Sequence, residues 1–387
     1  MVRSILLRLA VCAVLLPLAG CEWLTGDDRD PPPRFASVTT GNAHSCALTT
    51  DGEAYCWGSN YAGELGLGAG AESTVPEPRR VRGGLRFRSL HAGSHSTCGV
   101  DLNDALYCWG GTRSEPAATF PDTRFASLSP HLYNVECGVT TARAVACWGM
   151  NDQSGLPIGV WLTLMPGATD FAEVSAGAYI TGLGGSRGYA YSAHVCGVKA
   201  TGEAFCWGDN TFGQLGIAGD LRQTNVPTRV APGMAFKTVR AGLVSTCGLD
   251  TGGALYCWGR DRARVPQRLG ATLQFESLDV GTLHGCAVTT AGQAYCWGAN
   301  TSGELGTGAP AASAEPQAVQ GRVRFLSVSA AGSSHHEMFG PVEAHTCGIG
   351  TDHRVYCWGS NASGQLGNRS RAASLVPVRV ADPARDV

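Results

Sequence analysis

Fourteen of the sixteen cysteines in this 387-residue chain fall into seven pairs that share one spacing, C-x9-C. The pairs are Cys46/Cys56, Cys98/Cys108, Cys137/Cys147, Cys196/Cys206, Cys247/Cys257, Cys286/Cys296 and Cys347/Cys357. Each second cysteine is followed by Trp-Gly. A unit that recurs in this way indicates an array in which every copy buries its apolar surface against its neighbours. The sequence therefore predicts seven equivalent blades, and not a catalytic domain built around one site.

The first copy predicts a β-hairpin of defined register. A loop of Thr50-Asp51-Gly52 ends at a position that favours a left-handed residue, and this position is glycine in four of the seven copies. The other copies carry Asp104, Arg143 and His353 there. With this loop, Cys46 lies directly across from Cys56 on the same face of the sheet. The separation of such a cross-strand pair suits a disulfide.

Two other uses of the cysteines, as reduced thiols or as zinc ligands, fit the pattern less well. Chance does not preserve one spacing seven times, and a structural zinc site needs clustered ligands at short spacing. We therefore expect one disulfide in each hairpin. Each bridge closes a loop of about eleven residues, which stabilises the fold by about 2–3 kcal/mol in the chain-entropy model.

Both faces of the hairpin carry apolar or small residues. Cys46, Leu48 and Ala54 lie on one face, and Tyr55 and Trp57 lie on the other. A blade of a propeller needs a sheet that is buried on both sides, because it packs between two neighbours. Short apolar segments before and after the hairpins bring each unit to about four strands. We expect an all-β, seven-bladed β-propeller with the seven Cys-Trp-Gly tryptophans in its core.

Three repeated strings resemble the repeat of the regulator of chromosome condensation family. They are His44-Ser-Cys-Ala-Leu, Asp51-Gly-Glu-Ala-Tyr-Cys-Trp-Gly58 and Asn60-Tyr-Ala-Gly-Glu-Leu-Gly66, and the last recurs at residues 210–216, 300–306 and 361–367. The resemblance runs from about Arg34 to Val380 and implies a seven-bladed propeller. The string Asn-x-x-Gly-x-Leu-Gly is missing from blades two and five, and blade three keeps only Asn151-Asp-Gln-Ser-Gly-Leu156.

The N-terminal segment predicts export and lipid anchoring. Arg3 and Arg8 form a basic segment before a short apolar run, Leu9 to Leu18. This run is too short to span a bilayer. Leu18-Ala19-Gly20-Cys21 resembles a bacterial lipobox, with Cys21 as the lipid-bearing residue. We expect a lipoprotein signal peptide at residues 1–20, a lipid-anchored, Pro-rich tether at 21–33 and the propeller at 34–387. An ordinary cleaved signal peptide is the alternative.

Export agrees with the number of cysteines. If Cys12 leaves with the signal peptide and Cys21 is acylated, fourteen cysteines remain, and an oxidising compartment lets seven disulfides form. Glu22 follows the lipid site, whereas aspartate at this position is associated with retention in the inner membrane. We therefore expect the protein at the bacterial cell envelope, held through the lipid on Cys21 at the outer membrane or its periplasmic face.

The charge balance argues against nucleic acid as a partner. The chain has 29 basic and 31 acidic residues and no basic run, so phosphate neutralisation has no electrostatic basis. We assign no catalytic residue, cofactor or metal ligand, since the sequence has no nucleophile-elbow, zinc-protease or phosphate-cradling motif. A repeated histidine position predicts hydrogen-bonded core or channel residues. These histidines are His44, His194, His284 and His345, two residues before a first cysteine, and His95, three before.

Two insertions interrupt the repeat at equivalent places. Blade four carries residues 178–193 and blade seven carries residues 333–344, each between the first and second strands. They emerge on one face, three blades apart, on nearly opposite sides of the channel mouth. Aromatic residues and methionine are enriched at interface cores, and loops on a rigid scaffold carry function. The candidate binding residues are Tyr179, Ile180, Tyr189, Tyr191, His335, His336, Met338 and Phe339, with Tyr133 at the equivalent place in blade three.

We interpret the chain as an envelope-anchored, non-enzymatic and monomeric propeller that binds a protein or glycan through loops on one face. The alternative is a secreted protein inhibitor of an enzyme, because the resembled family includes a secreted propeller that blocks β-lactamases. Guanine-nucleotide exchange, the activity of the family's nuclear founder, fits poorly, because export removes the nucleotide-bound GTPase that an exchanger needs. For a glycan hydrolase or lyase the sequence offers no candidate set of catalytic groups.

Overall fold

Seven four-stranded antiparallel sheets make up the protein, and the strands of each sheet follow one another in the chain. The computed structural model describes residues 32–129, 135–149, 162–183, 189–332 and 343–383, with the side chains of 181–183, 189–191 and 332 excepted. The first strands of neighbouring blades contact each other around a central channel, so the first strand of each blade is innermost. The prediction of an all-β, seven-bladed propeller is confirmed.

The strands have the following bounds. Blade one has β1 Phe35–Thr40, β2 His44–Thr49, β3 Ala54–Ser59 and β4 Thr74–Arg80; blade two has β5 Phe87–Ala92, β6 Ser96–Asp101, β7 Leu106–Gly110 and β8 Arg113–Ala118; blade three has β9 Phe125–Leu128, β10 Val135–Thr140, β11 Val145–Gly149 and β12 Thr163–Leu164; blade four has β13 Phe171–Leu183, β14 Tyr189–Lys199, β15 Ala204–Asp209 and β16 Gln223–Arg229. Blade five has β17 Phe236–Ala241, β18 Ser245–Asp250, β19 Leu255–Gly259 and β20 Gln267–Leu269; blade six has β21 Phe275–Val280, β22 His284–Thr289, β23 Ala294–Gly298 and β24 Ser313–Ala318; blade seven has β25 Phe325–Gly332, β26 Ala344–Gly350, β27 Val355–Gly359 and β28 Ser374–Arg379. The described part of the chain contains no helix long and apolar enough to cross a membrane.

The central hairpin of each blade has the register expected from the sequence. In blade one, Leu48 pairs with Ala54 and Cys46 pairs with Cys56. Gly52 ends the loop with φ +87°. The three copies without glycine at this position also adopt a left-handed backbone, with φ of 64° at Asp104, 62° at Arg143 and 62° at His353. The loop therefore has one conformation in all blades, and glycine lowers its energetic cost.

Every hairpin is closed by one cross-strand disulfide, as predicted. The bridges join Cys46–Cys56, Cys98–Cys108, Cys137–Cys147, Cys196–Cys206, Cys247–Cys257, Cys286–Cys296 and Cys347–Cys357, with Cα–Cα separations of 4.0–4.1 Å. Each bridge ties the second strand to the third near the middle of its blade. The two strands that carry most of the buried side chains are thereby held in one register.

Each blade is buried on both faces. One face of blade one, which carries Cys46 and Leu48, packs against Phe87 and Trp109 of blade two. The other face, which carries Trp57, packs against blade seven. All seven Cys-Trp-Gly tryptophans are only 0–7% exposed. Their predicted place in the core is confirmed.

The Asn-x-x-Gly-x-Leu-Gly segment is a compact turn between the third and fourth strands. In blade six, the Asn300 Oδ1 atom accepts a hydrogen bond from the Leu305 N–H at 2.9 Å, and the Glu304 carboxylate accepts one from the Ser302 N–H at 2.8 Å. The same two bonds occur in the turns of blades one, four and seven, with glutamine in place of glutamate in two of them. The turn is therefore stabilised by its own side chains.

This turn fills the seam between its own blade and the next. Leu305 is fully buried, in a cluster with Phe325 and Trp358 of blade seven. Gly306 has φ +68°, and a Cβ atom there would lie 2.8 Å from the Trp358 Nε1 atom. The leucine thus packs between the blades, and the final glycine lets the turn approach the tryptophan of the next blade.

The ring closes by packing, a point that the sequence left open. Blade one is built from β1–β4 and blade seven from β25–β28, so the two exchange no strand. Across their seam, Trp57 Nε1 donates to the Gln365 carbonyl at 2.9 Å. The Phe35 N–H donates to the His353 carbonyl at 2.9 Å. The closing seam therefore has the same construction as the internal seams that contain a complete turn.

We predict that Gly306→Ala destabilises the protein more than Gly70→Ala does. Both glycines are left-handed, but a Cβ atom at Gly70 meets nothing within 4 Å. Gly70→Ala should cost about 1 kcal/mol for the backbone alone, whereas Gly306→Ala adds overpacking and should cost about 2–4 kcal/mol. Free energies of unfolding from urea titration measure both. Equal losses would contradict the packing role of the turn.

Candidate functional site

One face of the ring carries both insertions and all the Asn-x-x-Gly-x-Leu-Gly turns. The sheets are antiparallel, so the first and third strands of a blade run in the same direction. The connection after the first strand, where the insertions occur, therefore lies on the same side as the connection after the third strand, where the turns occur. We call this side the turn face.

Each blade has an equivalent residue at the fifth position, counted from the phenylalanine that begins its first strand. These residues are Thr39, His91, Ser129 (directly after β9), Ser175, Arg240, Asp279 and Ser329. Of them, Thr39, His91, Arg240, Asp279 and Ser329 line the central channel. At five seams the fifth side chain accepts a hydrogen bond from the backbone N–H of the sixth residue in the next blade. Ser175 Oγ, for example, accepts from the Ala241 N–H at 2.9 Å. These bonds hold neighbouring first strands together around a cavity of about 330 Å³.

Arg240 breaks this pattern because a guanidinium cannot accept a hydrogen bond. It donates instead to the Glu173 carboxylate of blade four at 3.0 Å. Asp279, in the next blade, accepts from the Ala330 N–H at 2.9 Å. Burial raises the pKa of Asp279, and the Arg240 charge opposes this rise. These charged groups of the channel are engaged in contacts between blades, so they stabilise the ring and do not form a catalytic pair.

The blade-four insertion continues the strands of its own blade. β13 and β14 stay paired from Ala178–Ala193, through Ile180–Tyr191, to Leu183–Tyr189. Most of residues 178–193 are thus the arms of an extended hairpin, which differs from the loop that the sequence suggested. The pairing places Tyr189 and Tyr191 on the strand opposite Tyr179 and Ile180, so the structure brings these four candidate residues into one element.

Tyr179 anchors this extension to blade four. Its ring packs edge to face on Phe212, with a centroid distance of 5.7 Å, and its hydroxyl donates to the Asp209 carboxylate at 3.0 Å. Burial, together with the Asp209 charge, raises the pKa of Tyr179 to about 12. Tyr179 therefore remains a neutral hydrogen-bond donor at physiological pH, and it holds the hairpin at a fixed angle on the turn face.

The other candidate binding residues lie outside the described residues. They are His335, His336, Met338 and Phe339 of the blade-seven insertion and Tyr133 of blade three. The described residues on either side of the blade-seven insertion place its ends on the turn face, since β25 and β26 are still paired at Gly332–Ala344. Next to it, Gln365 Nε2 donates to the Glu343 carboxylate at 3.1 Å.

Four of the five repeated histidines are buried at seams between blades. At the seam of blades six and seven, Thr346 Oγ1 donates to the Glu304 carbonyl at 2.8 Å, and Trp358 Nε1 donates to the same carbonyl at 2.8 Å. The His284 Nε2 atom lies 2.8 Å from Thr346 Oγ1. Because the hydroxyl has given its single hydrogen to the carbonyl, Nε2 must carry the ring proton. His284 is therefore a neutral donor.

The same arrangement recurs wherever a blade has the complete turn. The other sets of histidine, hydroxyl and carbonyl are His44/Thr97/Glu64, His194/Thr246/Gln214 and His345/Ser45/Gln365. Burial lowers the pKa of His194 and His284 to about 4, and burial with the neighbouring His284 lowers that of His345 to about 3. As predicted, these histidines are hydrogen-bonded core residues. His95 is exposed and does not belong to this set.

The hydroxyl partner of the histidine was missed by sequence reasoning, although a signal for it was present. The residue before each first cysteine is Ser or Thr in blades one, two, five and seven, each of which follows a blade with the complete turn. In blades three, four and six this residue is Glu136, Val195 and Gly285. Comparing each blade with the preceding one would have revealed the pair.

One group of metal-capable side chains occurs among the described residues. Cys98, Cys108 and Glu136 have ligand atoms within 4.8 Å of one another. Two of these atoms are the sulfurs of a disulfide, which cannot act as thiolate ligands. We therefore assign no metal site to this cluster.

Comparison with known proteins gives a consistent family match. Models of the regulator of chromosome condensation (RCC1) repeat match residues 35–64, 275–304 and 327–365 in one form and residues 51–100, 201–249, 291–336 and 352–387 in the other. The ultraviolet-B receptor UVR8 of Arabidopsis thaliana is 26% identical over 242 residues, which cover 59% of this chain and 53% of UVR8. The human E3 ubiquitin-protein ligase HERC2 is 27% identical over 201 residues, covering 47% of this chain and 4% of HERC2. The chain thus spans about half of UVR8 and a small part of HERC2.

Solved structures agree with the fold. Prp20p of Saccharomyces cerevisiae, described with its binding to Gsp1p and histones, has a TM-score of 0.65 and 20% identity, covering 76% of this chain and 80% of that chain. Human WBSCR16 has a TM-score of 0.66 and 17% identity, covering 78% of this chain and 85% of that chain. At these identities the similarity concerns the fold alone.

We predict that His194→Gln reduces the loss of stability on acidification. An unfolded histidine titrates near pH 6.5, whereas His194 in the folded protein has a pKa of about 4. Between these values the unfolded chain binds a proton that the folded chain does not, so the free energy of unfolding falls as the pH falls, by up to about 1.4 kcal/mol per pH unit.

Urea unfolding at pH 6.5, 5.5 and 5.0 measures this slope. His194→Gln should reduce this slope by up to about 1.4 kcal/mol per pH unit, which corresponds to one proton, because glutamine does not titrate. A parallel variant is His284→Gln, which removes a second buried histidine whose pKa is lowered to about 4 and should reduce the slope by the same amount. A slope that is unchanged in His194→Gln would contradict the role of His194 as a buried neutral donor.

Proposed function

Because the chain belongs to the regulator of chromosome condensation repeat family, we propose that it is a protein-binding propeller that recognises its partner through the turn face. We propose a binding role in place of catalysis, since the buried histidines and the charged groups of the channel are occupied by contacts between blades. Prp20p, a propeller of similar fold, binds Gsp1p and histones, which supports a protein as the class of partner.

The observation that carries this proposal is the construction of the blade-four extension. Its two arms are paired, and Tyr179 fixes it to Asp209 and Phe212 of the same blade. An anchored hairpin loses less conformational entropy on binding than a flexible loop does, so more of its contact energy remains as affinity. The blade-four extension and the two ends of the blade-seven insertion lie three blades apart on the turn face, so one partner could contact both.

We further propose that the propeller is anchored to the bacterial envelope through a lipid on Cys21. The sequence Leu18-Ala19-Gly20-Cys21 and the Pro-rich residues 22–33 support this proposal, and the seven disulfides agree with an oxidising compartment. A tether of this length would let the turn face meet a partner in the same compartment.

We predict that shortening both insertions abolishes partner binding and leaves the fold intact. In the variant, Asn-Gly replaces residues 180–191, which joins the paired residues Tyr179 and Ser192 by a two-residue hairpin loop, and Gly-Ser replaces residues 333–342. The full chain and the variant serve as bait in the envelope and medium of the producing bacterium. The specific partner should fall by at least about tenfold with the variant.

The matched control changes the opposite face. Leu102 is 64% exposed in the connection after the second strand of blade two, so Leu102→Ser should leave capture unchanged. A partner retained by the shortened variant and lost by Leu102→Ser would place the site on the opposite face and contradict the proposal. A partner that resists protease but is lost after glycosidase treatment would contradict the protein class and favour a glycan. Thermal unfolding of each bait checks that it is folded.

We predict that Cys21→Ser releases the protein from the membrane. The change removes the thiol that would be acylated. The substituted chain should no longer incorporate labelled fatty acid, and it should move from the membrane to the soluble fraction. Cys12→Ser is the control, because this residue lies in the expected signal peptide, and it should retain both the label and the membrane fraction. Label on Cys21→Ser equal to that on the unchanged chain would contradict the lipid site.

A further inference from the structure

The seam between blades five and six contains a cleft of about 580 Å³. Gly285, Trp297 and Ala314 line it on the side of blade six, and Arg260 and Arg262 line it on the side of blade five. The cleft opens beside the connection that follows the third strand of blade five, so it lies at the turn face. Blade five is one of the blades whose sequence lacks the Asn-x-x-Gly-x-Leu-Gly turn.

These lining residues occupy the positions that contact the turn at other seams. In blade two, the turn of blade one contacts Thr97, Trp109 and Ser114. The Glu64 carbonyl of the turn accepts a hydrogen bond from Thr97 Oγ1. A Cβ atom on Gly66 would lie 2.9 Å from Trp109 Nε1, and one on Gly63 would lie 3.1 Å from Ser114 Cα. The equivalent residues of blade six are Gly285, Trp297 and Ala314. The cleft therefore lies at the position that a turn fills elsewhere in the ring.

Arg262 now takes the place of one contact that the turn would make. Its guanidinium donates to the Ala314 carbonyl at 2.7 Å. At three filled seams the equivalent carbonyl accepts instead from the backbone N–H two residues after the turn. These bonds are Gly68 N to Ser114 O (2.9 Å), Gly308 N to Leu375 O (2.9 Å) and Arg369 N to Pro76 O (2.8 Å). A turn that enters the cleft could satisfy Ala314 in the same way and release Arg262.

The two other seams that lack a complete turn differ from this one. Between blades two and three, the Glu136 side chain occupies the position and its carboxylate lies 3.4 Å from Ser96 Oγ. Between blades three and four, the incomplete turn at 151–156 lies outside the described residues. At the seam of blades five and six, the position of the hydroxyl residue is Gly285, which has no side chain to fill it.

A turn of this kind is held in shape by hydrogen bonds within its own connection. Its asparagine and its glutamate or glutamine close it, as Asn300 and Glu304 do in blade six, and the Asn300 Nδ2 atom donates to the Ala309 and Ala311 carbonyls farther along the same connection. The element can therefore be presented by another polypeptide at little ordering cost. The charges at the cleft are mixed, since Arg260 and Arg262 lie near Asp261 and Glu315, so both the glutamate and the glutamine form of the turn suit it.

We propose that this cleft receives a turn of the Asn-x-x-Gly-x-Leu-Gly type from a partner protein, with the leucine packed between blades five and six and the partner's backbone N–H on the Ala314 carbonyl. The partner thereby completes a seam at which, among the described residues, the turn is absent and Arg262 alone bonds to that carbonyl. This proposal rests on the cleft alone and needs no contribution from the blade-four extension or the blade-seven insertion.

The test uses a cyclised peptide with residues 298–312, which contain the blade-six turn and the Ala309 and Ala311 carbonyls that bond to Asn300. It is labelled with fluorescein and titrated against the full chain. Fluorescence anisotropy should show saturable binding. A peptide with Leu305→Ala should bind at least about tenfold more weakly, because it loses the buried leucine. Arg262→Ala in the protein should strengthen binding, because the competing guanidinium is gone; a purely structural role of Arg262 does not produce this gain.

Blocking variants separate the cleft from the rest of the surface. Ala314→Trp should abolish binding of the peptide, whereas Ala318→Trp, on the same strand, exposed and outside the cleft, should leave it unchanged. Equal binding by Ala314→Trp and the unchanged protein would overturn the proposal, as would equal binding of the two peptides. No binding to either the unchanged protein or Arg262→Ala would also overturn it. Shortening the two insertions should leave peptide binding intact.

Discussion

The ring depends on one carbonyl group at each complete seam. The carbonyl of the residue before the turn's leucine accepts from the hydroxyl of Ser or Thr on the next blade, and at three of the four complete seams it also accepts from the next tryptophan. This contact fixes the distance between two sheets whose apolar faces would otherwise slide over each other, since hydrophobic packing has no direction. The histidine that is hydrogen-bonded to this hydroxyl remains neutral because it is buried. The disulfides act within blades, so the seams are what turn seven stable hairpins into one ring.

The seams are not equivalent, and their differences make the ring structurally asymmetric. Blades one, four, six and seven supply a complete turn to the next blade, whereas blades two and five do not. Among the described residues, the seam after blade five also has no hydrogen bond from a backbone N–H to a fifth-position side chain. The fifth residue of blade five is Arg240, which cannot accept a hydrogen bond and donates to Glu173 of blade four. Local stability in a repeat protein follows the interfaces between neighbouring repeats. The turn is also missing at the blade two–three seam, but there the Glu136 side chain occupies its position. At the blade five–six seam the fifth-position bond is missing in addition to the turn, and the cleft opens there.

The two proposed binding features of the turn face make different demands on a partner. The blade-four extension offers an anchored surface that is set by the Tyr179 contacts. The cleft offers a shaped recess that the fold already fills elsewhere with a known element. A partner that uses both would gain from two linked contacts without a large rearrangement of the propeller. Both features lie on the side where the third strands end, so strand direction alone places the two proposed sites on one face of the ring.

The sequence by itself determined the repeat, the hairpin register, the disulfides and the burial of the tryptophans, because these depend on local spacing and on the alternation of side chains along a strand. The left-handed position was readable even where it carries Asp104, Arg143 or His353. Only the tertiary structure decided which groups meet across a seam, since those contacts join residues between 32 and 320 positions apart. It also decided that the blade-four insertion is an extended hairpin, that the ring closes without strand exchange and that a cleft lies beside Gly285. The seam contacts and the cleft depend on how two blades approach each other, and the pattern within one blade carries no information about that distance.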